Sequence, residues 1–513
     1  MPTIPGSLRA SAGRLPGAPA LTFGGVRYTY RELDQEVDRM ANALLRSGLR
    51  RGDRLALMAA NSDLFVIVFY AALRAGAIFV PVNPASAPPE LAYILTDSGA
   101  TTLVFDAELS DIVDVARSGD SGGVRFFALG QVAGYDDLRH LAADAPASPP
   151  LIVVEEDDDS LILYTSGTTG RPKGALFDHH RSVWVGVVVA AASGMRSAER
   201  FLHVAPLYHA GELCIMLITG TMLAAHHVVH SGFDAREVLD TMEAEGISMF
   251  FGVPTMYQAF LSDPGLRARD LSRWRVGMFG SAPMPGAVVE QLLAVLPGVE
   301  LIQFMGQTEG GPGGVYSTPE QVRARPDACA RQALPFTEAR VVDAADRDVQ
   351  PGEIGELVLR GETVMKGYWH QPGETERTLR DGWLHTGDLV KVDHDGYLTV
   401  VDRLKDMIIS GGRNVYSVEV ENALAAHPHV LDCAVIGRPH PYFGESIVAV
   451  VVPRDGTTIT LDGIKAHCRK LVASYKVPHD LLLRQAIPRN PSGKVLKHVL
   501  RDGMRPGTAP KSL

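Results

Sequence analysis

Cysteine is scarce in this chain: four in 513 residues, at 214, 329, 433 and 468, with no C-x-x-C pair. That usage argues against a structural zinc site or a disulfide framework and suits a reducing cytoplasm. Positive charge is not in excess. The 49 Lys and Arg against 59 Asp and Glu leave a formal charge of −10, without the electrostatic footprint that nucleic acid demands. Long apolar runs are also missing. The longest lies near "VWVGVVVAAA", 183–192, about half of what a membrane span needs, so a buried helix is expected there. The opening "MPTIPGSLRASAGRLPGAPA" has prolines and glycines but no apolar core of signal-peptide length. These absences point to a cytoplasmic protein with no membrane span and no nucleic-acid partner.

What is present is α/β texture. A chain this long exceeds a single core. In "LTFGGVRYTYRELDQEVDRMANALL" the alternation around Gly24-Gly25 predicts a hairpin. Thr29 then precedes a helix with apolar Leu33, Val37, Met40, Ala41, Leu44 and Leu45 on one face. "RLALMAA" follows as a buried strand, and the alternation continues to about residue 300, the signature of layered, largely parallel sheets. The acidic stretch "EEDDD", 155–159, reads as a solvated connection. After residue 330 short strands suggest a small β-rich subdomain, and from about 403 a further α+β unit begins, with a helix at "VEVENALAAH" and strands at "DCAVIGR" and "SIVAVVVPRD".

One loop carries chemistry. "YTSGTTGRPKGA", 164–175, sets Thr165, Ser166, Gly167, Thr168, Thr169 and Gly170 ahead of Lys173. A Walker loop needs a hydroxyl residue after its lysine, and here Gly174 follows, so that pattern fails. The ingredients of an anion-binding nest remain, and the apolar "SLILY" before them places the loop at a strand end, where α/β ligand sites form. Alone, such a loop also reads as a flexible turn.

Four further stretches decide between these: "GSAPM" (280–284), "MGQTEG" (305–310), "HTGDL" (385–389) with "DRLKDMIISGGRNVYSVEVE" (402–421), and "PRNPSGKVLK" (488–497). With the loop, they resemble in order the motifs of the adenylate-forming superfamily: acyl-CoA synthetases, carrier-protein adenylation domains and luciferases. The chain is most similar to acyl-CoA ligases of the fatty-acid or aryl-acid type. The resemblance implies a large N-terminal domain of layered α/β sheets plus a β-rich subdomain, 1–401. A small mobile α+β C-terminal domain, 402–513, would rotate about a hinge at Asp402.

It also implies site roles, with ATP, Mg2+ and CoA as cofactors. The loop and Lys173 would hold the β- and γ-phosphates, and Glu309 would be the magnesium ligand. Lys494 would be the catalytic lysine, a point charge suited to the carboxylate–phosphate bridge. Lys497, one helical turn on, is its counterpart without an assigned role. Gly280, Ser281 and Ala282 would lie against adenine, with Met305, Gly306, Gln307 and Thr308 beside them. Where the family carries an aromatic residue, in Y-G-x-T-E, this chain has Met305, whose thioether can still cover a purine face. Asp388 would hold the ribose hydroxyls and Arg403 the ribose or phosphate. In the second step Gly411 and Gly412 would let a pantetheine arm pass close to the backbone. His209, in "PLYHAGEL", resembles the residue between acyl and thiol tunnels; a histidine after tyrosine is also commonly a packed core residue.

The implied reaction joins a carboxylic acid to AMP, then to the thiol of coenzyme A. Loading a carrier protein in trans is the alternative, and Arg413 suits either acceptor. Luciferase-type oxidation is a minor variant that the same motifs serve. A non-catalytic nucleotide-binding module is disfavoured by the intact Lys494, Glu309 and Asp388. In "EGGPGGVY", Gly310, Gly311, Gly313 and Gly314 either open the acyl wall to a bulky acid or simply turn the loop. No Lys or Arg falls within 304–316 or 205–217 to pair a second carboxylate. In "HHVVH", 226–230, adjacent strand histidines face opposite ways and do not easily share one metal ion.

Overall fold

The computed structural model describes residues 2–117, 123–165, 171–282, 284–489 and 495–502. They form two compact units, Met1–Ala339 with Leu359–Leu384, and Arg340–Val358 with His385–Leu513.

In the first unit, the predicted hairpin joins the strands Pro19–Phe23 and Val26–Thr29. Gly24 and Gly25 have φ of 55° and 86°, the left-handed region that a two-residue hairpin turn needs. Thr29 caps the helix Tyr30–Arg46: its hydroxyl accepts from Glu32 N, and Glu32 accepts from Thr29 N at 2.8 Å. This reciprocal pairing satisfies two orphan donors of the first turn. Leu33, Val37, Met40, Ala41 and Leu44 are buried as their spacing predicts. Asp34 and Asp38 are buried as well, bonded to Arg74 at 2.7 and 2.9 Å. Helical periodicity carries no sign of that distant partner.

Among the described residues this unit holds two sheets. The larger has nine strands, in the order Gln332–Ala333, Gly314–Ser317, Glu300–Gly306, Val276–Phe279, Met249–Gly252, Arg200–His203, His226–Val229, Pro19–Phe23, Val26–Thr29. Its middle pairings are parallel and its edges antiparallel. The second has eight strands, from Gly367–Tyr368 through Lys173–Asp178 and Asp159–Thr165 into a parallel series ending at Asp136–Asp137. Apolar runs in the central strands follow from helices covering both faces. The apolar stretch at 183–192 is indeed helical, within His179–Ser193.

The "EEDDD" stretch departs from expectation. It is cross-linked rather than simply solvated: Asp158 pairs with Arg51 at 2.6 Å, Glu156 with His180 at 2.5 Å, and Asp159 with Lys366 at 2.6 Å. Its partners are remote in sequence, so composition alone reads only the charge.

The second unit contains an antiparallel pairing of Trp383–Val392 with Leu398–Arg403, in which Asp388 faces Arg403. A five-stranded sheet follows, ordered Arg413–Val415, Ile408–Ser410, Gly444–Pro453, Val430–His440, with Asp480–Leu483 added in parallel to Gly444–Pro453. The helix Ser417–Ala425 packs its Val420 and Leu424 into that sheet's core. No described helix is long and apolar enough to cross a membrane.

Candidate functional site

The strands Asp159–Thr165 and Lys173–Asp178 pair antiparallel with Thr165 opposite Lys173. The phosphate-loop residues between them, Ser166, Gly167, Thr168, Thr169 and Gly170, lie outside the described residues, as does Lys494. The base of the loop is well anchored. Tyr164 donates to Asp97 at 2.6 Å, and Tyr93 donates to the carbonyl of Pro172 at 3.0 Å.

Glu309 sits on a single 3-10 turn, Thr308–Gly310, and is buried. Its Oε1 accepts from the Tyr368 hydroxyl at 2.8 Å and from the Thr165 hydroxyl at 3.3 Å. Met365 N donates to its backbone carbonyl at 2.9 Å. Among the described residues nothing bonds Oε2. A buried, oriented carboxylate with one uncommitted oxygen fits a hard cation such as Mg2+.

Tyr368 arrives because Gly367–Tyr368 pairs with the Lys173–Asp178 strand, Tyr368 opposite Ala175. The same tyrosine ring lies under Lys173, with Nζ 5.1 Å from its centroid. Lys173 itself is buried and ion-paired to Glu374, whose carboxyl is held below its usual range chiefly by that bond. Sequence reading missed both Tyr368 and Glu374. Neither stands in the quoted motifs, and only the strand pairing shows that they belong to the loop.

Two of the stretches expected to bind nucleotide lie at the ends of neighbouring strands. Val276–Phe279 and Glu300–Gly306 are parallel neighbours with Phe279 opposite Gln303. Gly280–Ala282 and Gln307–Thr308 therefore follow the carboxyl ends of neighbouring strands, Met305 and Gly306 being the last residues of theirs, at the edge where α/β folds form ligand crevices. Ser281 has φ 66°, a left-handed backbone that a non-glycine residue adopts at some strain. Glycine is required at 280 and 306. A Cβ would stand 2.6 Å from the Phe304 carbonyl oxygen in the first case and 2.0 Å from that of Gly313 in the second.

His209 follows Tyr208, the rings 4.7 Å apart. Its Nε2 is buried without a partner, and burial lowers its pKa to about 4. The imidazole is therefore neutral in the physiological range. A narrow, mostly apolar gap, too tight for a water-sized sphere, is lined by Leu163, Phe177, Ser182, Val185, Gly311, Pro312 and Cys214.

The glycines after the T-E pair resolve toward packing rather than openness. A Cβ on Gly311, whose φ is 71°, would meet the Thr363 carbonyl oxygen at 2.3 Å. One on Gly313 would meet Leu334 at 2.4 Å, and one on Gly314 would meet Leu359 at 2.8 Å. The space their missing side chains leave is already filled.

In the second unit Asp388 is buried and Arg403 Nε reaches its Oδ1 at 3.1 Å. The turn before it is fixed by Gly387 N donating to Glu356 at 2.8 Å. Gly411 and Gly412, with φ of 58° and 74°, turn a hairpin between Ile408–Ser410 and Arg413–Val415, and neither has backbone or side chain crowding its Cα. Arg413 lies 4.9 Å over the Tyr475 ring.

Asp402 is buried and accepts from the Ser417 hydroxyl at 2.9 Å. Burial raises its pKa, opposed by the charge of Lys497. Lys497 in turn reaches Ser417 Oγ at 2.6 Å and Glu421 at 2.8 Å. The lysine without an assigned role is thus part of a buried network around the expected hinge residue.

The "HHVVH" histidines separate as the pleat dictates: His226 Nε2 bonds Thr22 at 2.8 Å while His227 bonds His203 and Thr221. No cluster of three or more His, Cys, Asp or Glu suited to a metal occurs among the described residues.

The model of the AMP-binding enzyme family matches residues 8–369, and that of the AMP-binding enzyme C-terminal domain matches 419–494. A feruloyl-CoA synthase of Amycolatopsis sp is 41% identical over 486 residues, covering 95% of this chain and 96% of its own. An indoleacetate–CoA ligase of Aromatoleum aromaticum is 34% identical over 494 residues, 96% of each. The crystal structure of ATP-bound MatB from Rhodopseudomonas palustris superposes with a TM-score of 0.88 at 32% identity, over 98% of this chain and 99% of that one. Five motifs in order, the glutamate poised beside the loop and the matched length leave one conclusion: the chain belongs to the AMP-binding enzyme family.

Proposed function

We propose that this protein activates a bulky, mostly apolar carboxylic acid, ring-bearing by preference, and delivers it to coenzyme A. The enzyme is an AMP-forming acid–thiol ligase that uses ATP, Mg2+ and CoA. A carboxylate resists attack because its charge repels nucleophiles and its oxide does not leave. Joined to AMP it gains a leaving group, and a thiol can then displace AMP.

Both partners of the first step are anions, so positioning and charge neutralisation dominate. Glu309 is the observation that carries the reading. It is buried, oriented through one oxygen by Tyr368 and Thr165, with the other bonded to none of the described residues. Glu309 would hold Mg2+ there, and the cation would supply positive charge against the phosphates. In this reading the 166–170 loop and Lys173 hold the phosphates that leave, and Lys494 meets the carboxylate and α-phosphate. Asp388 and Arg403 take the ribose. The C-terminal domain, 402–513, turns about Asp402 to exchange Lys494 for Gly411 and Gly412, which pass the pantetheine arm. His209, neutral and unpartnered, stands between acyl and thiol without adding charge. In this reading the reaction runs in the cytoplasm, which the scarce cysteines with no C-x-x-C pair suit.

The acid class rests on relatives whose names specify ferulic and indoleacetic acids, not on the glycines. Acetate would leave apolar volume unfilled at about 0.8 kcal/mol per missing methylene, and a dicarboxylate would bury an unpaired charge. Comparing kcat/KM for acetate, malonate, a medium-chain acid and a ring-bearing acid tests the class. The ring-bearing acid is expected to lead; acetate or malonate leading would refute it. Turnover with a phosphopantetheinyl carrier and none with CoA would reassign the acceptor.

A further inference from the structure

A buried polar chain that neither half-reaction uses is anchored on the helical segment after His209. The π-helix Gly211–Ile218 follows directly on Tyr208–His209 and runs into the short helix Thr219–Met222. Such turns are rare and concentrate at functional sites. On its first turn Glu212, fully buried, places Oε1 2.6 Å from His203 Nδ1. His203 Nε2 lies 2.8 Å from His227 Nδ1, and His227 Nε2 lies 3.2 Å from Thr221 Oγ1. His203, His227 and Thr221 are buried too.

The bonds can run in one direction throughout. With Glu212 protonated, the form its burial favours, its carboxyl donates to His203 Nδ1, His203 Nε2–H donates to His227 Nδ1, and His227 Nε2–H donates to the Thr221 hydroxyl. Both ring nitrogens of each imidazole are used. Removing one member orphans its neighbour in a place water does not reach, so the four hold as a set.

The geometry of the set is a staple. Its ends, Glu212 and Thr221, belong to one helical segment, and its middle belongs to the adjacent parallel strands Arg200–His203 and His226–Val229. The segment lies tight on the sheet at Gly220, where a Cβ would stand 2.6 Å from His227 Cε1 and 2.8 Å from the Phe201 ring. Between the stapled ends, Cys214 lines the apolar gap.

We propose that Glu212, His203, His227 and Thr221 form a positioning chain that fixes the π-helix as a rigid acyl-pocket wall and so selects among acid shapes. The inference rests on the ligase reading above. Cys214 stands between the chain's two ends and lines that gap with Gly311 and Pro312, so the position of the π-helix sets where this wall stands.

The test measures kcat/KM for a ring-bearing and a medium-chain acid, and KM for ATP, in the full chain and three variants. Glu212→Leu removes the anchor. Glu212→Gln keeps a hydrogen bond to His203, its amide N–H donating to Nδ1 in place of the carboxyl. Thr221→Val cuts only the far end. The ratio between the two acids is expected to change about tenfold in Glu212→Leu, the scale of a methylene's worth of pocket mismatch. KM for ATP should stay within about twofold, the sign that nucleotide binding is untouched. Glu212→Gln should restore the wild-type ratio, and Thr221→Val should shift it in the same direction as Glu212→Leu, by less. Where Glu212→Leu does not fold, Thr221→Val carries the test. An unchanged ratio in the folded variant, or acid and ATP KM rising together, overturns the proposal alone. Absence of acid-dependent pyrophosphate from the unmodified chain overturns the ligase reading and this proposal with it.

Discussion

Tyr368 joins two parts of the site through one side chain: its hydroxyl orients Glu309 and its ring lies under Lys173. Tyr368→Phe keeps the ring and removes the hydrogen bond. A bond to a charged group is worth about 1.5–3 kcal/mol, so pyrophosphate release should fall about 10- to 100-fold and need more Mg2+. An unchanged Mg2+ dependence would separate Tyr368 from the metal. His179 offers a test of stability against pH. Its buried Nδ1 accepts from Ile4 N at 3.3 Å, and burial lowers its pKa to about 4. Unfolded, a histidine titrates near 6.5, so between those values the unfolded chain binds a proton that the folded chain refuses. The contribution is full above the unfolded pKa and is lost as pH falls through the folded one, about 1 kcal/mol of it between about pH 7.5 and 5.5. His179→Gln keeps an acceptor but cannot titrate. Its melting temperature should depend less steeply on pH over that range; an equal slope would place the acid sensitivity elsewhere.

At the scale of elements, local signals carried far. The Gly24-Gly25 hairpin, the Thr29-capped helix and the "SLILY" strand each follow from turn chemistry, capping or apolar patterning, and each is in place. The loop after Glu309 shows where such signals stop. Its glycines were legible as glycines, but whether they open a wall or fit a crowded turn depends on Thr363, Leu334 and Leu359, brought there by the fold. The same holds for Tyr368, Glu374 and the Glu212 chain, whose partners are joined by strand pairing or by segments distant in sequence. Gly311→Ala tests the crowding directly. With φ at 71° and a carbonyl oxygen 2.3 Å from the added Cβ, the turn must shift, at about 1–3 kcal/mol of strain. A lower melting temperature and slower pyrophosphate release are expected together, because Glu309 lies two residues away. Wild-type stability and rate would mean that the turn relaxes freely.

For the whole molecule, the account requires two half-reactions served by different surfaces of one chain. Lys494, proposed for the first alone, separates them. The decisive measurement compares Lys494→Ala with the unmodified chain in two assays: acid-dependent pyrophosphate release from ATP, and CoA thioester formation from supplied acyl-AMP. The account predicts a loss of at least about 10²–10³-fold in the first, the scale of one preorganised charge or donor, with the second retained. Equal loss in both would contradict it.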